Sequence, residues 1–373
     1  MGEAELSALA DVVASGWLTT GPRVKAFEAA FAQHVGAPEA VALNSCTAGL
    51  HLSLLASGVG PGDEVVTTPL TFCATVNTVL HAGGTPVFAD VSRETATMDV
   101  AATAAASTAR TRVLMPVHYA GRPADPLAFR ALADARGLQV IEDAAHCVDG
   151  SVDGRRIGTI ADFTAFSFYS TKNIATGEGG MVTLASPDRA DWMRVAALHG
   201  LSRDAWARYA PGVPAQYEVV MPGFKYNMMD LQAALGLAQL ARLSKMQARR
   251  ARLWARYEAG LAHLPLVRPA PVPDGWTHAR HLYTVLVDPR LCGWTRDGLQ
   301  AALGGEGIGT SVHFRALHLH TYYADRFSLR RGMFPNAEYH SDHSLSLPFW
   351  SGMPLDDVDR VIETLDRLLS VGA

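Results

Sequence analysis

Two residues that each follow an apolar run carry most of the chemistry this chain has to offer. Lys172 lies in SFYSTKN, five residues beyond Ser167, and GEGG follows it. Ser167 closes the run TAFSF, which places Lys172 just past the end of a strand. A lysine partly withdrawn from water there loses its proton more readily and forms a Schiff base with an aldehyde. Asp143 closes VIED in the same way. Alone, the lysine reads as a solvated charge and the aspartate as a turn or helix cap. Together they suit a cofactor bearing an aldehyde and a pyridine, because a fixed carboxylate keeps a pyridinium nitrogen protonated. Pyridoxal 5'-phosphate (PLP) is such a cofactor.

A phosphate needs its own site. In NSCTAGLHLSLL, Thr47, Ala48 and Gly49 stand where a strand gives way to a helix. Free N–H groups at a helix start, with the dipole behind them, bind phosphate; an ordinary cap by Thr47 is compatible with that. Ser167 offers a hydroxyl from the lysine's own loop. Phe72, in TPLTFCAT, follows a strand end and is placed to lie against a flat ring. His146, three residues after Asp143, is placed to donate to a phenolic oxygen. Judged singly, Phe72 reads as a core residue, and His146 reads equally well as a buried structural histidine.

The elements that must position these groups alternate. Strands are expected at VALN, around Val65 and Val66, and at TPVFAD, RVLMPV, LQVIED and TAFSF. Helices are expected from Pro22, with Val24, Phe27, Phe31 and Val35 at helical spacing, from Thr47, after Phe72 and in PLAFRALADARG. Such alternation predicts a mostly parallel sheet covered by helices on both faces. Ligands gather beyond the carboxyl ends of such strands, where Asp90, Asp143 and Ser167 lie. One long helix is expected over Met228–Leu264, with Leu231, Leu235, Ala238 and Leu243 as its stripe and a bend near Gly236. Prolines at 265, 269, 271 and 273 mark a linker. A strand (LYTVLV), a helix after Thr295 and a closing helix carrying Leu355, Val358, Ile362, Leu365 and Leu369 follow.

Length and composition set limits. The 373 residues fit a large domain plus a smaller one, and 49% are hydrophobic. A net charge of −4 gives no reason to expect nucleic acid or an anionic membrane as partner. The cysteines at 46, 73, 147 and 292 have no zinc-like or CxxC spacing and read as a reduced set. No signal peptide, myristoylation pattern or long apolar span is evident, so a cytoplasmic location is expected. The run Arg249, Arg250, Arg252 reads as the wet face of the long helix. The histidines of HFRALHLH fit no metal motif. GGEGIG near residue 304 lacks the βαβ context of a nucleotide loop, and no GxGxxG follows a strand, which argues against a nicotinamide dehydrogenase.

SGWLTTGPRVKAFEAAFA, GVGPGDEVVTTPLTFCATVNTV, VIEDAAHCVDG, SFYSTKNIATGEGG, PGFKYNMMDLQAALGLAQL, HLHTYYADRF and SLPFWSGM, in this order and spacing, carry a resemblance. The chain resembles the DegT/StrS-type nucleotide-sugar aminotransferases, which are fold-type I PLP enzymes, over nearly its whole length. The resemblance implies an α/β fold with a large PLP-binding domain (1–245) and a smaller α+β C-terminal domain (246–373). It implies that Lys172 binds PLP covalently, Asp143 pairs with the pyridinium, Thr47, Ala48 and Ser167 hold the phosphate, and Phe72 stacks on the ring. It implies that Asn227, in KYNM, reaches the phosphate of a neighbouring subunit, making a homodimer. His313, in SVHF, falls in a substrate-binding region. KYNM is similar to members acting at carbon 4 of UDP- or dTDP-linked 4-keto-6-deoxy sugars, with glutamate as amino donor. Action on a 3-keto sugar or a cyclitol is the alternative.

The sequence departs from the family at three places. His146 stands where glutamine is common, Asn44 and Cys46 replace part of a smaller SGT-like turn, and the first helix is expected close to the start, without the short extended segment that relatives usually carry ahead of it. Other readings of the scaffold are a PLP sugar dehydratase, in which histidine replaces the lysine, and a non-catalytic regulatory protein. The intact Lys172, Asp143 and Ser167 set argues against both. The loop around Trp206 and Tyr209 is expected to shape specificity.

Overall fold

The computed structural model describes residues 1–202 and 217–370. Seven strands form its main sheet: β1 (Glu39–Leu43), β2 (Glu64–Thr67), β3 (Thr85–Phe88), β4 (Thr111–Met115), β5 (Gln139–Asp143), β6 (Phe163–Ser167) and β7 (Gly180–Leu184). Their spatial order is β1-β7-β6-β5-β4-β2-β3. Pairs β6/β5, β5/β4, β4/β2 and β2/β3 are parallel, while β7 runs against both its neighbours. The sheet is thus mostly parallel, as expected. Strand β7 was not foreseen, because GMVTL begins on the last glycine of GEGG and has no polar alternation to mark it.

Both faces are covered, and β1 shows how. Val41 and Leu43 pack with α3 (Cys46–Ala56) and α7 (Pro187–Ala197). Ala40 and Ala42 turn the other way, toward Phe27 and Phe31 of α2 (Pro22–Val35). The period-2 alternation of a strand produces this split. Further along the sheet, Val66, Leu114 and Val140 pack with Phe129 and Ala133 of α6 (Pro126–Arg136).

The long helix expected over Met228–Leu264 is two: α8 (Asp230–Ala241) and α9 (Leu243–Gly260). The break falls at Arg242 (φ −107°, ψ 4°), not at Gly236. Gly236 instead faces Phe27, and a Cβ there would lie 2.5 Å from that ring. The buried face of α8 is accordingly Ala233, Ala234, Gly236 and Gln239. Leu231, Leu235 and Ala238, the expected stripe, are only half-buried, though Leu243 is buried. Helix α1 (Glu3–Ser15) lies on α8, where its buried Glu5 meets Arg242 at 3.1 Å.

Beyond α9, β8 (Tyr283–Leu286) pairs antiparallel with β9 (Ser344–Leu347). With α9 and the C-terminal helix Leu355–Ser370 they enclose a separate apolar cluster that includes Tyr257, Tyr283, Leu345, Val358 and Leu365. Among the described residues no helix is long and apolar enough to cross a membrane.

Asp230 ties these parts together locally. Its buried carboxylate accepts from the N–H groups of Arg23 (3.1 Å) and Val24 (3.0 Å) in the first turn of α2. A residue more than two hundred positions away thus does the work of a cap. Asp230→Ala should lower unfolding free energy by about 1–3 kcal/mol, read from urea unfolding; an unchanged midpoint would show that water replaces the carboxylate.

Candidate active site

The carboxyl ends of β5 and β6, the start of α3 and the loop after β6 open onto one cavity of about 1000 Å³. That is the upper end of the range for small-molecule sites, with room for a cofactor and a substrate side by side. Ser45, Cys46, Thr47, Phe72, Asp143, His146, Ser167, Lys172 and His313 all line it.

Asp143 ends β5 with its carboxylate nearly buried (6% exposed). Its Oδ2 accepts from Thr75 Oγ1 at 2.8 Å and its Oδ1 from the Ala145 N–H at 3.1 Å. Thr75, on α4 (Cys73–His81), is itself 2.8 Å from the Thr71 hydroxyl, so Thr71 donates to Thr75 and Thr75 to Asp143. Burial pushes the Asp143 pKa up; Thr75, the Ala145 N–H and the Lys172 charge hold it down, and the net is a rise.

Lys172 is placed by a tight loop. Its N–H donates to the Tyr169 carbonyl, and Phe168 and Thr176 bond across the loop base. The neighbouring Asn173 donates to the Ala279 carbonyl at 2.7 Å and meets His281 Nδ1 at 3.2 Å. Burial lowers the Lys172 pKa, against the pull of Cys46 and Asp143. A lowered ammonium pKa is the condition for a nucleophilic amine near neutral pH.

The α3 start differs from expectation in one respect. Ser45, not Thr47, is the N-cap, and its Oγ accepts from the Ala48 N–H at 3.1 Å. Ala48 is buried and does not line the cavity, whereas Thr47 is exposed and does. Gly180 makes the turn possible: β7 pairs Gly180 with Leu43, and a Cβ on Gly180 would fall 2.4 Å from the Ser45 carbonyl carbon. Asn44 anchors the same turn through Nδ2 to the Lys225 carbonyl (3.1 Å).

Phe72 precedes α4 and is 60% exposed, its ring 6.1 Å from that of Phe314. The His146 ring lies 4.4 Å from His281 and 6.0 Å from Phe314, and its Nδ1 is buried without a partner among the described residues. His313 Nδ1 meets Ser346 Oγ at 2.8 Å, and burial takes its pKa down to about 4.

Asn227 does not reach this cavity. Its Nδ2 donates to Thr20 Oγ1 at 2.7 Å, and its Oδ1 is buried without a partner among the described residues. Asp90 is also elsewhere: it accepts from the N–H groups of Asn336 (3.0 Å) and Ala337 (2.8 Å), capping the helix Pro335–His343. Arg250, expected on the wet face of its helix, is only 3% exposed and lines the cavity; Arg249 is half-buried and Arg252 exposed. His318, of the HFRALHLH run, faces Glu338 at 3.0 Å. Trp206 and Tyr209 lie outside the described residues. Reading the sequence missed Ser45, Thr75, His281 and Arg250 as site residues; only Ser45, a preferred cap type one residue before the helix, carried a local signal.

The donor set fits PLP. A fixed carboxylate, a half-buried lysine, a helix N-terminus with a hydroxyl beside it, and an orphaned imidazole nitrogen share one cavity wall. The unpartnered Nδ1 of His146 in particular is a buried polar atom waiting for a bond.

Known proteins bear on this arrangement. The model of the DegT/DnrJ/EryC1/StrS aminotransferase family matches residues 1–366. The chain is 49% identical over 367 residues to the spore coat polysaccharide biosynthesis protein SpsC of Bacillus subtilis, covering 98% of this chain and 94% of that one. It superposes on a Streptococcus pneumoniae protein assigned as a sugar aminotransferase, solved in PMP and PLP forms, with a TM-score of 0.94 for the PMP form, 31% identity, and coverage of 100% and 98%. The aminotransferase TlmJ of Streptoalloteichus hindustanus gives a TM-score of 0.91 at 35% identity, with coverage of 100% and 97%.

Burial holds the pKa values of His146 and His281 well below the usual imidazole range, with the charge of Lys172 adding to the effect. Both rings are neutral at pH 7. An unfolded histidine titrates near pH ~6.5, so this depression contributes stability that is complete above that pH and drains away as pH falls below it. A ¹⁵N-imidazole titration should find both rings still neutral at the pH of about 6.5 where an unfolded histidine is half-protonated. Protonation of both at the unfolded value would overturn the assignment.

Proposed function

The chain belongs to the DegT/DnrJ/EryC1/StrS aminotransferase family and is a PLP-dependent aminotransferase, and on that premise we propose that it transfers an amino group from L-glutamate to carbon 4 of a UDP- or dTDP-linked 4-keto-6-deoxy sugar. The observation that carries the reading of the site is Lys172 and Asp143 on one cavity wall, each near enough for its charge to shift the other's protonation. Bound PLP supplies an electron sink for the carbon whose proton is exchanged.

The protein's own groups divide the remaining work. Asp143, oriented by Thr75 and the Ala145 N–H, holds a proton on the pyridine nitrogen. Lys172 binds the cofactor aldehyde and, once displaced by the donor amine, moves a proton through Nζ. Thr47, Ala48 and Ser167 hold the phosphate. The Ala48 N–H serves the Ser45 cap, so its share is the smallest. Phe72 lies against the ring, and His146 meets the phenolic oxygen through its free nitrogen. His313 faces the acceptor.

Asn227 belongs to a second site. Thr20 donates to the Met228 carbonyl, so it must accept from Asn227, which leaves the second amide N–H of Asn227 without a partner among the described residues. Exposed Val219, Val220 and Met229 stand near it in sequence. These features support a homodimer in which Asn227 reaches the neighbour's phosphate. The separate apolar cluster supports a division into residues 1–245 and 246–373. Four unpaired cysteines support a reducing, cytoplasmic setting.

The polysaccharide role in the name of the Bacillus relative and the sugar substrate in that of the Streptococcus protein support a sugar acceptor. The 3-keto sugar or cyclitol alternative is separated by its products: the 4-keto nucleotide sugar should be aminated, and amination of the 3-keto isomer alone would replace the carbon-4 reading.

Two further outcomes are expected. Purified holoenzyme should show the visible band of bound PLP, lose it with L-glutamate and regain it with the keto sugar. A band indifferent to every amino donor would favour a regulatory binding protein. Lys172→Ala should cut turnover by about 10²–10⁴-fold or more, and near-normal rates would remove Lys172 from the mechanism.

A further inference from the structure

Arg250 of α9 is a buried cation that meets no anion among the described residues. It is 3% exposed and lines the same cavity as Lys172. Its hydrogen bonds to described residues both leave from Nη1, and both end on neutral carbonyls, Arg280 at 3.0 Å and His281 at 3.3 Å. Nε is buried without a partner. Other arginines that meet a buried carboxylate do so at ion-pair distance, as Arg242 does with Glu5 at 3.1 Å. No described carboxylate does this for Arg250. Burial takes its pKa down to about 10, so it remains charged at neutral pH.

A guanidinium removed from water is stable only when an anion or a full set of acceptors meets it. Two Nη1 bonds leave most of its five N–H donors unused. The surroundings are shaped for a small planar anion. The Phe349 ring lies 5.3 Å from the guanidinium carbon. Thr310 Oγ1, on the wall of the same cavity, is likewise buried with no partner. His281, neutral beside Arg250, offers no competing charge and is close enough to feel the charges of both Arg250 and Lys172.

We propose that Arg250, assisted by the Thr310 hydroxyl, is the seat of a carboxylate of the amino donor. The inference rests on the aminotransferase reading: an amino-acid donor brings a carboxylate with it, and the keto acid it becomes keeps that group. A guanidinium edge matches a carboxylate with two parallel bonds. The position next to His281, whose ring feels the charges of both Arg250 and Lys172 inside the same cavity, suits a group attached directly to the reacting carbon. A nucleotide diphosphate is bulkier and suits the mouth, where Tyr169 and Trp350 are exposed. Donor binding would then give the guanidinium the anion that no described residue supplies.

Glutarate, a dicarboxylate with no amine to transfer, tests this without turnover. Calorimetry on PLP-loaded enzyme should show glutarate binding that weakens by about tenfold or more in Arg250→Gln. Arg250→Lys should keep part of it, and Thr310→Val should show a smaller loss. With L-glutamate, KM for band loss should rise in Arg250→Gln with a much smaller change in the limiting rate, and the keto-sugar half-reaction should lose far less than the donor half-reaction. Wild-type glutarate affinity in Arg250→Gln would overturn the proposal. So would equal losses in both half-reactions, which would mark Arg250 as a brace for the 280–281 backbone only. Should Arg250→Gln fail to fold, unchanged glutarate affinity in both Arg250→Lys and Thr310→Val would do the same. Band loss in the wild-type enzyme with L-glutamate reports on the aminotransferase reading separately.

Discussion

Everything in the site depends on keeping a charge on Asp143 where water is scarce. Burial alone drives that carboxyl toward its neutral form, and a neutral acid beside a pyridine nitrogen would hold no proton there. The structure counters burial from three places: hydrogen bonds from a threonine on α4 and from the Ala145 N–H two residues beyond β5, and the charge of Lys172. Thr75 in turn leans on Thr71. The register that brings β5 beside β4 sets this geometry, because the Asp143 N–H donates to the Pro116 carbonyl and its own carbonyl accepts from His118. The carboxylate is therefore only as well aimed as the parallel ladder beneath it.

The lysine reaches the same wall through a reversal in the sheet. β7 runs antiparallel between β1 and β6, so the chain leaving β6 must turn back within a short loop. That loop carries Lys172 at its tip and is closed at its base by backbone bonds between Phe168, Thr176 and Gly179. The strand that follows starts with Gly180, and the absence of a side chain there lets the Ser45–Cys46 turn sit directly above it. One glycine thus brings the helix start that suits a phosphate and the loop that holds the lysine into a single cavity.

The histidines and Arg250 give the cavity an unusual balance. His146, His281 and His313 are all pushed toward neutrality by burial, and the nearby Lys172 strengthens the effect. The imidazoles therefore act as neutral donors or acceptors and do not compete for anions. The positive charge stays on the ammonium and on the guanidinium, at separate points of the wall.

Asp143 and Ser167 were legible because each closes an apolar run, and Lys172 because it follows one closely; a parallel sheet sends such ends to one edge. The alternation of Ala40, Val41, Ala42 and Leu43 likewise spelled out a strand covered on two faces. Thr75, His281 and Arg250 were not legible, since each matters only where separate elements meet. Arg250 sat in a basic run that looked solvated, and the break at Arg242 was masked by a continuous helical pattern. Periodicity and strand-end chemistry are local properties, written into neighbouring residues, and the sequence by itself determined those. Which side chains lose water together, and which buried charge is left without a partner, depends on contacts between residues far apart in the chain, and only the tertiary structure decided that.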